Sequence, residues 1–314
     1  MGKIAVVAFG GNALLRGDQK GTIDEQRANA KETCEKLLLL IKSGYNIVLT
    51  HGNGPQVGNI ILSNSAGNKV YGLPDMPMDV CGAYSQGFIG YVLEQQLRNT
   101  LTENNINKNV VTIVTQVVVD KDDEAFKNPT KPVGPFYDEQ SYQKMLEEQG
   151  GTYAKDPRGR GWRKVVASPK PLRIVNQEII KQLSLEGNIV IASGGGGIPV
   201  VSENGLLRGV EAVIDKDLAS AVLAKNIKAD QFRILTDVPK VCLHFNTPEQ
   251  IALSNLTTQE AKKYLNEGHF AEGSMAPKVR AAIIFAENTG NEAIITSPET
   301  VGLENSGTII SNSK

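Results

Sequence analysis

The fold of this chain is decided by the stretch Ile189-Val190-Ile191-Ala192-Ser193-Gly194-Gly195-Gly196-Gly197. Its first three residues form a β-branched run, which predicts a buried parallel strand. The four glycines that follow leave no β-carbon to hold a ligand away from the backbone N–H groups. The stretch therefore favours an anion-binding loop at the end of a strand, although a glycine loop without a ligand fits it equally well.

A charged helix start follows this loop at Asp215-Lys216-Asp217, ahead of a predicted helix at residues 218–225. The two aspartates supply N-cap chemistry and a possible anchor for an ammonium group. Lys216 opposes the helix dipole, which costs on the order of a few tenths of a kcal/mol unless an anion lies nearby. Lys278 also lies in the first turn of a helix, the one that starts at Ser274. Two such lysines indicate bound anions, while each of them alone could be a solvated surface charge.

Strands and helices alternate along the chain on both sides of this region. Predicted strands occupy residues 4–9, 46–50, 110–119, 188–193, 232–236, 241–245, 293–297 and 307–310. Two capping boxes, Thr22 with Glu25 and Thr257 with Glu260, start helices between the strands, and a longer helix covers about residues 80–103. This alternation predicts an α/β fold in which helices cover both faces of a parallel sheet.

Residues from about 120 to 172 differ in composition from the rest of the chain. Six of the 14 prolines lie between Pro129 and Pro171, together with the only tryptophan, Trp162. We therefore expect an inserted lid subdomain within a single domain of residues 1–314. Lys131 lies between two prolines of this insertion, rigid on both sides, as a residue that must be aimed would be. The basic run around Trp162 could bind RNA, but the balanced total charge favours a simple lid surface.

The totals of the chain exclude several classes of protein. The 33 basic and 34 acidic residues nearly cancel, which argues against a general nucleic-acid or membrane binder. The odd and scattered cysteines, Cys34, Cys81 and Cys242, form neither a disulfide framework nor, with the three scattered histidines, a zinc site. The apolar start at residues 4–9 is too short for a signal peptide, and no apolar run approaches membrane length. These features predict a cytoplasmic globular protein without a metal site built from its own side chains.

Three predicted strands end in glycine combined with asparagine or with more glycine. These ends are Gly10-Gly11-Asn12, Gly52-Asn53-Gly54 and Gly194 to Gly197. Ligands bind at the carboxyl ends of the strands in an open parallel sheet, so three such ends favour one shared polyanion site. His51 and His269 flank these glycine motifs, but neither has an obvious acid or nucleophile to pair with, so we interpret them as structural.

Two common phosphate motifs do not explain these glycines. The chain contains no G-x-x-x-x-G-K-S/T sequence, which excludes a P-loop protein. Gly52, Gly54 and Gly58 approach a dinucleotide fingerprint, but they follow the second strand, and residues 70–77 form a Pro-containing loop in place of a strand that ends in an acid. A dehydrogenase therefore remains only as an alternative, which titration with NADH would test.

On these motifs the sequence resembles carbamate kinase, within the amino acid kinase superfamily. The runs that carry the resemblance are residues 9–13, 51–58, 115–135, 161–171, 194–201, 209–220 and 268–278. They follow one another in order over nearly the whole chain. The runs TQVVVDKDDEAFKNPTKPVGP (115–135) and GWRKVVASPKP (161–171) belong to the insertion that sets carbamate kinases apart from their relatives. The run DPRGRG (156–161) is one residue longer than the usual form, and Ala167 stands where proline is expected, so the lid is expected to differ in detail.

The resemblance implies a three-layer αβα sandwich on a mostly parallel central sheet with a protruding lid, and a homodimer. It implies reversible phosphoryl transfer between MgATP and carbamate, giving carbamoyl phosphate and ADP, with ATP generation from arginine or agmatine breakdown as the usual role. Lys131 would reach from the lid to the reacting groups, Lys216 and Lys278 would hold the transferred phosphoryl group, and Asp217 would orient those two lysines. The residues expected to bind phosphoryl and carbamate oxygens are Gly10, Gly11, Asn12, Gly52, Asn53, Gly195 and Gly196. The nucleotide is expected near Asp215, Thr236 and Asp237.

The chemistry of this reaction agrees with the residue types. Carbamate is already an anionic oxygen nucleophile, so the absence of a His–acid or Ser–His pair in the motifs is no obstacle. The enzyme must bring two anions together and neutralise the charge on the transferring group, which lysines, backbone N–H groups and Asn amides can do. Two alternatives stay open, namely another amino acid kinase that acts on a carboxylate such as glutamate, and a non-catalytic nucleotide or anion sensor.

Overall fold

The computed structural model describes residues 2–10, 14–16, 19–156, 159–303 and 306–312. The strands are, in chain order, β1 (Ile4–Phe9), β2 (Asn46–His51), β3 (Val110–Thr112), β4 (Gln116–Val119), β5 (Lys131–Tyr137), β6 (Thr152–Lys155), β7 (Trp162–Val166), β8 (Pro171–Ile174), β9 (Ile189–Ile191), β10 (Ile198–Glu203), β11 (Leu206–Gly209), β12 (Gln231–Leu235), β13 (Cys242–Leu243), β14 (Ile251–Ala252), β15 (Asn255–Thr257), β16 (Ala293–Thr296) and β17 (Thr308–Ser311). The helices are α1 (Ile23–Lys36), α2 (Leu38–Lys42), α3 (Gly54–Tyr71), α4 (Met78–Glu103), α5 (Glu139–Gln149), α6 (Gln177–Leu185), α7 (Lys216–Asn226), α8 (Thr258–Asn266) and α9 (Met275–Thr289).

An eight-stranded sheet forms the centre of the molecule, in the order β15-β17-β16-β12-β1-β2-β9-β3. From β16 to β3 every neighbouring pair is parallel, and only the pairing of β16 with β17 is antiparallel. The predicted α/β fold with a mostly parallel central sheet is therefore confirmed. Both predicted capping boxes are also present, at the starts of α1 and α8.

Helices pack on both faces of this sheet because its central strands are apolar on both sides. In β1 the side chains of Val6 and Ala8 belong to a core that includes residues of α7 and α9. The alternate residues Val7 and Phe9 belong to a second core with residues of α1 and α4. All residues of β1 are buried, as expected for a strand sandwiched between two helical layers.

The predicted strand at residues 110–119 is wrong in its length. Residues 110–112 join the central sheet as β3, whereas residues 116–119 join a second sheet in the order β11-β10-β4-β8. The break has a local cause at Thr115, whose N–H donates to Oε1 of Gln86 at 2.7 Å and whose carbonyl accepts from Nε2 of Gln86 at 3.1 Å. The buried amide of Gln86 thus takes the N–H of Thr115, while the Thr115 carbonyl also accepts from the N–H of Ile198 in the second sheet at 2.9 Å, and the chain changes sheets. The predicted strand at 241–245 is likewise reduced to β13, which pairs with β14 outside the central sheet.

Part of the predicted insertion forms a small sheet of its own, here called the lid sheet, in the order β5-β7-β6. The ring of Tyr142 in α5 stacks on Trp162 with 4.2 Å between the ring centroids, and the indole Nε1 donates to Glu139 at 2.8 Å. The lid sheet lies against α3, where a β-carbon at Gly58 would stand 3.5 Å from Cα of Gly134. Lys131, at the start of β5, is therefore carried by a structured element that is docked on the main body.

No helix among the described residues is long and apolar enough to cross a membrane.

The parallel pairing places the carboxyl ends of β1, β2, β9 and β12 at the same edge of the central sheet. Phe9 and His51 are register partners at the ends of β1 and β2, and Leu49 pairs with Ile191 at the end of β9. The connections that leave these strand ends carry most of the residues singled out from the sequence. Functional sites of open parallel sheets lie at this edge, where the loops of several strands meet.

Candidate active site

The glycine turn after β9 packs directly against the turn after β2. Gly195 and Gly196 have φ angles of +65° and +93°, a region that side-chain-bearing residues rarely adopt. A β-carbon at Gly195 would overlap the side-chain amide of Asn53, and one at Gly194 would overlap the ring of His51. Glycine is therefore required here both by the backbone conformation and by the close approach of the second motif.

The first glycine motif reaches the same edge of the sheet. Gly10 follows β1 directly, and the N–H of Gly52 donates to the carbonyl of Phe9 at 3.2 Å. Gly11 and Asn12, which complete this motif, lie outside the described residues. The structure thus brings Gly10, Gly52 and the glycine turn together.

Asn53 stands at the N-cap position of α3, but its side chain makes no capping hydrogen bond. Instead, Nδ2 of Asn53 donates to the hydroxyl of Ser85 at 2.8 Å, and this hydroxyl donates to the carbonyl of Gly82 at 2.7 Å. Since Ser85 is fully buried in α4, the amide is held in one orientation over the glycine turn. An amide fixed in this way can bind an anion without first having to order itself.

The N-terminus of α7 lies next to this turn. A β-carbon at Gly196 would collide with the carbonyl oxygen of Ile214, so the chain that leads into α7 passes directly over the glycines. Asp215 caps the helix by accepting from the N–H groups of Asp217 at 2.9 Å and Leu218 at 3.3 Å. The helix accordingly begins at Lys216, two residues before the predicted start, because the cap is the first of the two aspartates.

Asp217 holds two lysines that are far from each other in the sequence. Its Oδ1 accepts from Nζ of Lys216 at 2.8 Å, and its Oδ2 accepts from Nζ of Lys278 at 3.0 Å. The three side chains are 5%, 15% and 13% exposed, respectively, so the pairs are largely shielded from water. One carboxylate thus fixes two ammonium groups side by side.

The pKa shifts follow from this arrangement. Burial by itself raises the pKa of Asp217, but the charges and hydrogen bonds of Lys216 and Lys278 outweigh burial and lower that pKa to about 2. Burial lowers the pKa of Lys216, although the charge of Asp217 acts in the opposite direction. Asp217 is therefore ionised throughout the neutral range and serves as the permanent counter-ion of the cluster.

Lys131 completes the cluster from the lid sheet. Its Nζ donates to Oδ2 of Asp215 at 3.0 Å, and the two side chains are 35% and 17% exposed. The helix cap is therefore also the docking point of the lid lysine. Three lysines and two aspartates leave one net positive charge, next to the glycine turn and a helix N-terminus. Such a site is suited to a bound anion.

His51 is buried at the end of β2. Its Nδ1 lies 3.0 Å from the carbonyl of Gly52, a distance that fits donation from a neutral ring protonated on Nδ1. Burial lowers the pKa of His51 to about 4, against the effect of this hydrogen bond, and the nearby charge of Lys216 lowers it further. The ring is therefore uncharged at neutral pH and separates the two glycine turns.

Comparison with known proteins places the chain in a family. The model of the amino acid kinase family matches residues 3–297. Carbamate kinase from Pyrococcus horikoshii is 53% identical over 294 residues, which cover 94% of this chain and 93% of that protein. The chain belongs to the carbamate kinases. Carbamate kinase 1 from Enterococcus faecium is 48% identical over 96% of both proteins. A structure of carbamate kinase from Giardia lamblia bound to AMP-PNP covers 99% of both chains at 47% identity, with a TM-score of 0.92.

In this carbamate kinase, Thr236 and Asp237 lie where β12 ends, beside Gly10. Together with Gly10 they line a cavity of about 420 Å³ that extends toward Lys36 of α1 and Glu299. None of the three clustered lysines is among the described residues that line this cavity. The structure therefore brings Thr236 and Asp237 to the same sheet edge as the lysine cluster, but toward the helical layer that contains α1 and not the one that contains α7.

The residues at the site also limit how a carbamate kinase could hold magnesium. Within the described parts of the chain, no group of three or more Asp, Glu, His or Cys side chains is arranged to bind a metal ion. Asp217 uses both of its oxygens for lysines. Magnesium in kinases is held largely by nucleotide phosphates and water, with one or two carboxylates, and this scarcity of free ligands fits that mode of binding.

Sequence reasoning missed several residues that position the site. Ser85 orients Asn53, and the buried Gln86 binds both peptide groups of Thr115 between β3 and β4. Both are polar residues on the buried face of α4, which is the signal that could have found them. Sequence reasoning also did not predict that Asp215 binds Lys131, the lysine of the lid sheet. The nitrogen Nε2 of His269 lies 3.4 Å from Glu267, so the expectation that His269 has no nearby acid is wrong.

Proposed function

We propose that this carbamate kinase transfers a phosphoryl group from carbamoyl phosphate to ADP, forming ATP and carbamate, by a reversible reaction. The observation that carries the proposal is the pair of ammonium groups that Asp217 holds beside the glycine turn. A transferring phosphoryl group carries its charge on three equatorial oxygens, and catalysis consists mainly of positioning and charge stabilisation. Fixed cations next to the glycine turn supply both.

Lys216 and Lys278 act on the transferred phosphoryl group. Their ammonium groups are already oriented by Asp217, so they need little reorganisation when negative charge develops on the equatorial oxygens. Asp217 also screens the repulsion between the two cations, which burial would otherwise make large. Its role is therefore to position the lysines and not to exchange protons.

Lys131 acts on the substrate from the lid sheet. Its ion pair with Asp215 is partly exposed, so exchanging the carboxylate for a substrate oxygen costs little, as is typical of solvent-accessible ion pairs. The exchange brings a third positive charge to the two reacting anions and lowers their repulsion. Asp215 holds Lys131 in reach until the substrate arrives.

The glycine turns bind the oxygens of the phosphoryl group and of carbamate. The N–H groups of Gly10 and Gly195 and the side-chain amide of Asn53 are the donors that we assign to this role. Gly52 and Gly196 belong to the same set and shape the turns, since their N–H groups donate to the carbonyls of Phe9 and Ser193. Gly11 and Asn12 belong to the same predicted set. No general base is required, since carbamate attacks as an oxyanion; the uncharged His51 instead maintains the spacing of the two turns.

The nucleotide is assigned to the same edge of the sheet, with Thr236 and Asp237 at its border. The relative from Giardia lamblia binds AMP-PNP, which supports a nucleotide site in this chain as well. Magnesium would enter with the nucleotide and neutralise phosphate charge. We further propose a cytoplasmic homodimer that generates ATP during the breakdown of arginine or agmatine, as the family resemblance implies.

An ATP-forming assay tests this function. The purified protein is given carbamoyl phosphate, ADP and magnesium, and ATP is measured by coupled reduction of NADP. We expect turnover in the parent protein and a loss of kcat of about 10² or more in Lys216→Met and Lys278→Met, the scale expected for a pre-aimed charge stabiliser. Lys225→Met, in the last turn of the same helix, serves as the control.

Two outcomes would contradict the proposal. If the parent protein forms no ATP from carbamoyl phosphate but consumes ATP in the presence of glutamate, its activity is that of a different amino acid kinase. Near-normal turnover in both folded lysine variants would remove the roles assigned to them. Circular dichroism of each variant establishes that it is folded.

A further inference from the structure

A second cavity, of about 400 Å³, lies on the face of the central sheet that α1 and α2 cover. Gln231 and Arg233 of β12, together with Glu292 and Ile294 at β16, form its floor, and Tyr45 lies in its wall. These residues occupy the amino-terminal halves of their strands. The cavity is therefore separated from the glycine turns, which follow the carboxyl ends of the strands.

Arg233 is the unusual residue of this cavity. Its side chain is in the middle of a strand, and the residue is only 6% exposed. Nε donates to the side-chain oxygen of Gln231 at 2.7 Å, and Nη1 donates to the carbonyl of Val301. Both acceptors are neutral, and no carboxylate of the described residues lies within 4 Å of the guanidinium as an ion-pair partner. Burial accordingly lowers the pKa of Arg233.

A buried guanidinium without a counter-charge is unfavourable. It has five N–H donors, and an anion that accepts a pair of them restores much of the solvation lost on burial. Replacement by an apolar residue would have avoided this cost altogether. The free donors face a cavity that is open enough to admit a small molecule, so the missing anion can come from a ligand.

A carboxylate lies in the same cavity, but at a distance. Arg233 is the register partner of Ile294, and Glu292 precedes Ile294 by two residues on the same face of the sheet. With strands about 4.8 Å apart and about 3.3 Å per residue, the Cα atoms of Arg233 and Glu292 are about 8 Å apart. Glu292 is exposed at the rim, while Arg233 is deep. The two charges do not form an ion pair in the structure.

We propose that this cavity binds an α-amino acid as its zwitterion, with an apolar side chain. The carboxylate of the ligand accepts from Arg233 at depth, and its ammonium group donates to Glu292 at the rim. The side chain of the ligand packs against Ile294 and its antiparallel neighbour Ile309, which also lines the cavity. A polyanion such as a nucleotide would be repelled by Glu292, and an uncharged apolar molecule would not supply the negative charge that Arg233 lacks.

Isothermal titration with leucine and its two truncated analogues tests the proposal, after extensive dialysis of the protein. 4-Methylpentanoate keeps the carboxylate and lacks the ammonium group, whereas 3-methylbutylamine keeps the ammonium group and lacks the carboxylate. We expect leucine to bind with one site per chain and each analogue to bind at least tenfold more weakly. The phosphoryl-transfer substrates are absent, so the result does not depend on the proposed function.

Two variants and a control assign the contacts. Arg233→Met should abolish binding of leucine. Glu292→Gln should weaken the binding of leucine at least tenfold. The affinity for 4-methylpentanoate should stay unchanged, since that ligand has no ammonium group that could contact Glu292. Glu249→Gln, an exposed charge removal elsewhere on the surface, should change neither affinity.

The proposal is overturned if leucine at millimolar concentration gives no binding heat, or if Glu292→Gln leaves the affinity for leucine unchanged. It is also overturned if the three ligands bind equally well, because the affinity would then not depend on both the carboxylate and the ammonium group of the ligand. Glu292 is exposed, so its variant is expected to fold and can decide the question even if Arg233→Met does not fold.

Discussion

Replacing Asp217 with asparagine tests the central contact of the site. The substitution keeps the size and shape of the side chain but removes its negative charge. Lys216 and Lys278, whose ammonium groups lie 2.8 and 3.0 Å from the carboxylate oxygens, then face each other without a counter-ion. The two lysine side chains are only 15% and 13% exposed, so water replaces the lost carboxylate only in part.

The size of the effect on stability follows from the pKa of Asp217. A pKa of about 2, compared with the ordinary value of 3.8, corresponds to about 2 kcal/mol in favour of the ionised form in the folded protein. Breaking a buried ion pair by removing one partner costs about 3–5 kcal/mol, because the remaining charges stay uncompensated. We therefore expect Asp217→Asn to lower the free energy of unfolding by about 3 kcal/mol, and kcat by about 10²–10³ since the lysines are no longer aimed.

Urea denaturation at several pH values measures the stability part of this prediction. Because the folded-state pKa is depressed, the contribution of Asp217 to stability is fully present above about pH 4, the ordinary pKa of the group. It is lost as the pH falls toward the folded-state value of about 2. The difference in unfolding free energy between the parent and the variant should therefore be largest near pH 7 and become smaller below pH 4. ATP formation at pH 7 measures the effect on kcat.

Equal unfolding free energies and equal kcat in the parent and Asp217→Asn would refute this reasoning. A difference in stability that stays constant down to pH 3 would also contradict it, because the effect would then not come from the charge. Asp24→Asn is the matched control, since that side chain is 91% exposed and should show neither effect.

Three further substitutions test other parts of the site. Gly195→Ala should lower kcat/KM about 10²-fold, the scale of a misplacement of about 1 Å in an active site. Gly205→Ala is the control, because Gly205 also has a positive φ angle but has open space around it, and this substitution should leave kcat/KM unchanged. Lys131→Met should lower kcat/KM for carbamoyl phosphate about 10²-fold, while urea denaturation shows a change of less than about 1 kcal/mol, because its pair with Asp215 is partly exposed. His51→Asn should remove a pH dependence of stability. In the parent protein, the unfolded chain binds a proton on His51 below the ordinary pKa of about 6.5, whereas the buried ring, with its pKa of about 4, does not. The free energy of unfolding of the parent therefore falls as the pH is lowered from about 6.5 to about 4. A parent protein with equally steep urea curves and constant midpoints from pH 7 to 4.5 would contradict the last prediction.

The strand ends could be predicted from the sequence because their signals are local. The β-branched runs before Gly10, Gly52 and Gly194 have the period and composition of buried strands, and the glycines stop them. The alternation with helices then requires a parallel sheet, which places these strand ends at one edge. The same local reasoning failed at residues 110–119, where every residue except Gln116 is β-branched and favours a strand. The interruption comes from Gln86, a residue of a different element.

The pairing of the charged side chains could not be predicted in this way. The residues indicated that Lys131, Lys216 and Lys278 are aimed at anions, and the family resemblance implied that Asp217 orients Lys216 and Lys278. Neither indicated that Asp215 holds Lys131. Lys131 and Asp215 are separated by 84 residues, and Lys278 and Asp217 by 61. Partners at such separations depend on how α7, α9 and the lid sheet pack.

The sequence by itself thus determined the layered α/β architecture and the chemical types of the groups at the carboxyl edge of the sheet. These follow from periodicity, capping residues and glycine positions, all of which act over a few residues. Only the tertiary structure decided that Asp215 both caps α7 and holds the lid lysine, and that Arg233 is buried without an ion-pair partner among the described residues. The physical reason is that the free energy of a buried charge depends on the dielectric surroundings and on the distance to its partner, and both quantities are set by packing between elements that are remote in the chain.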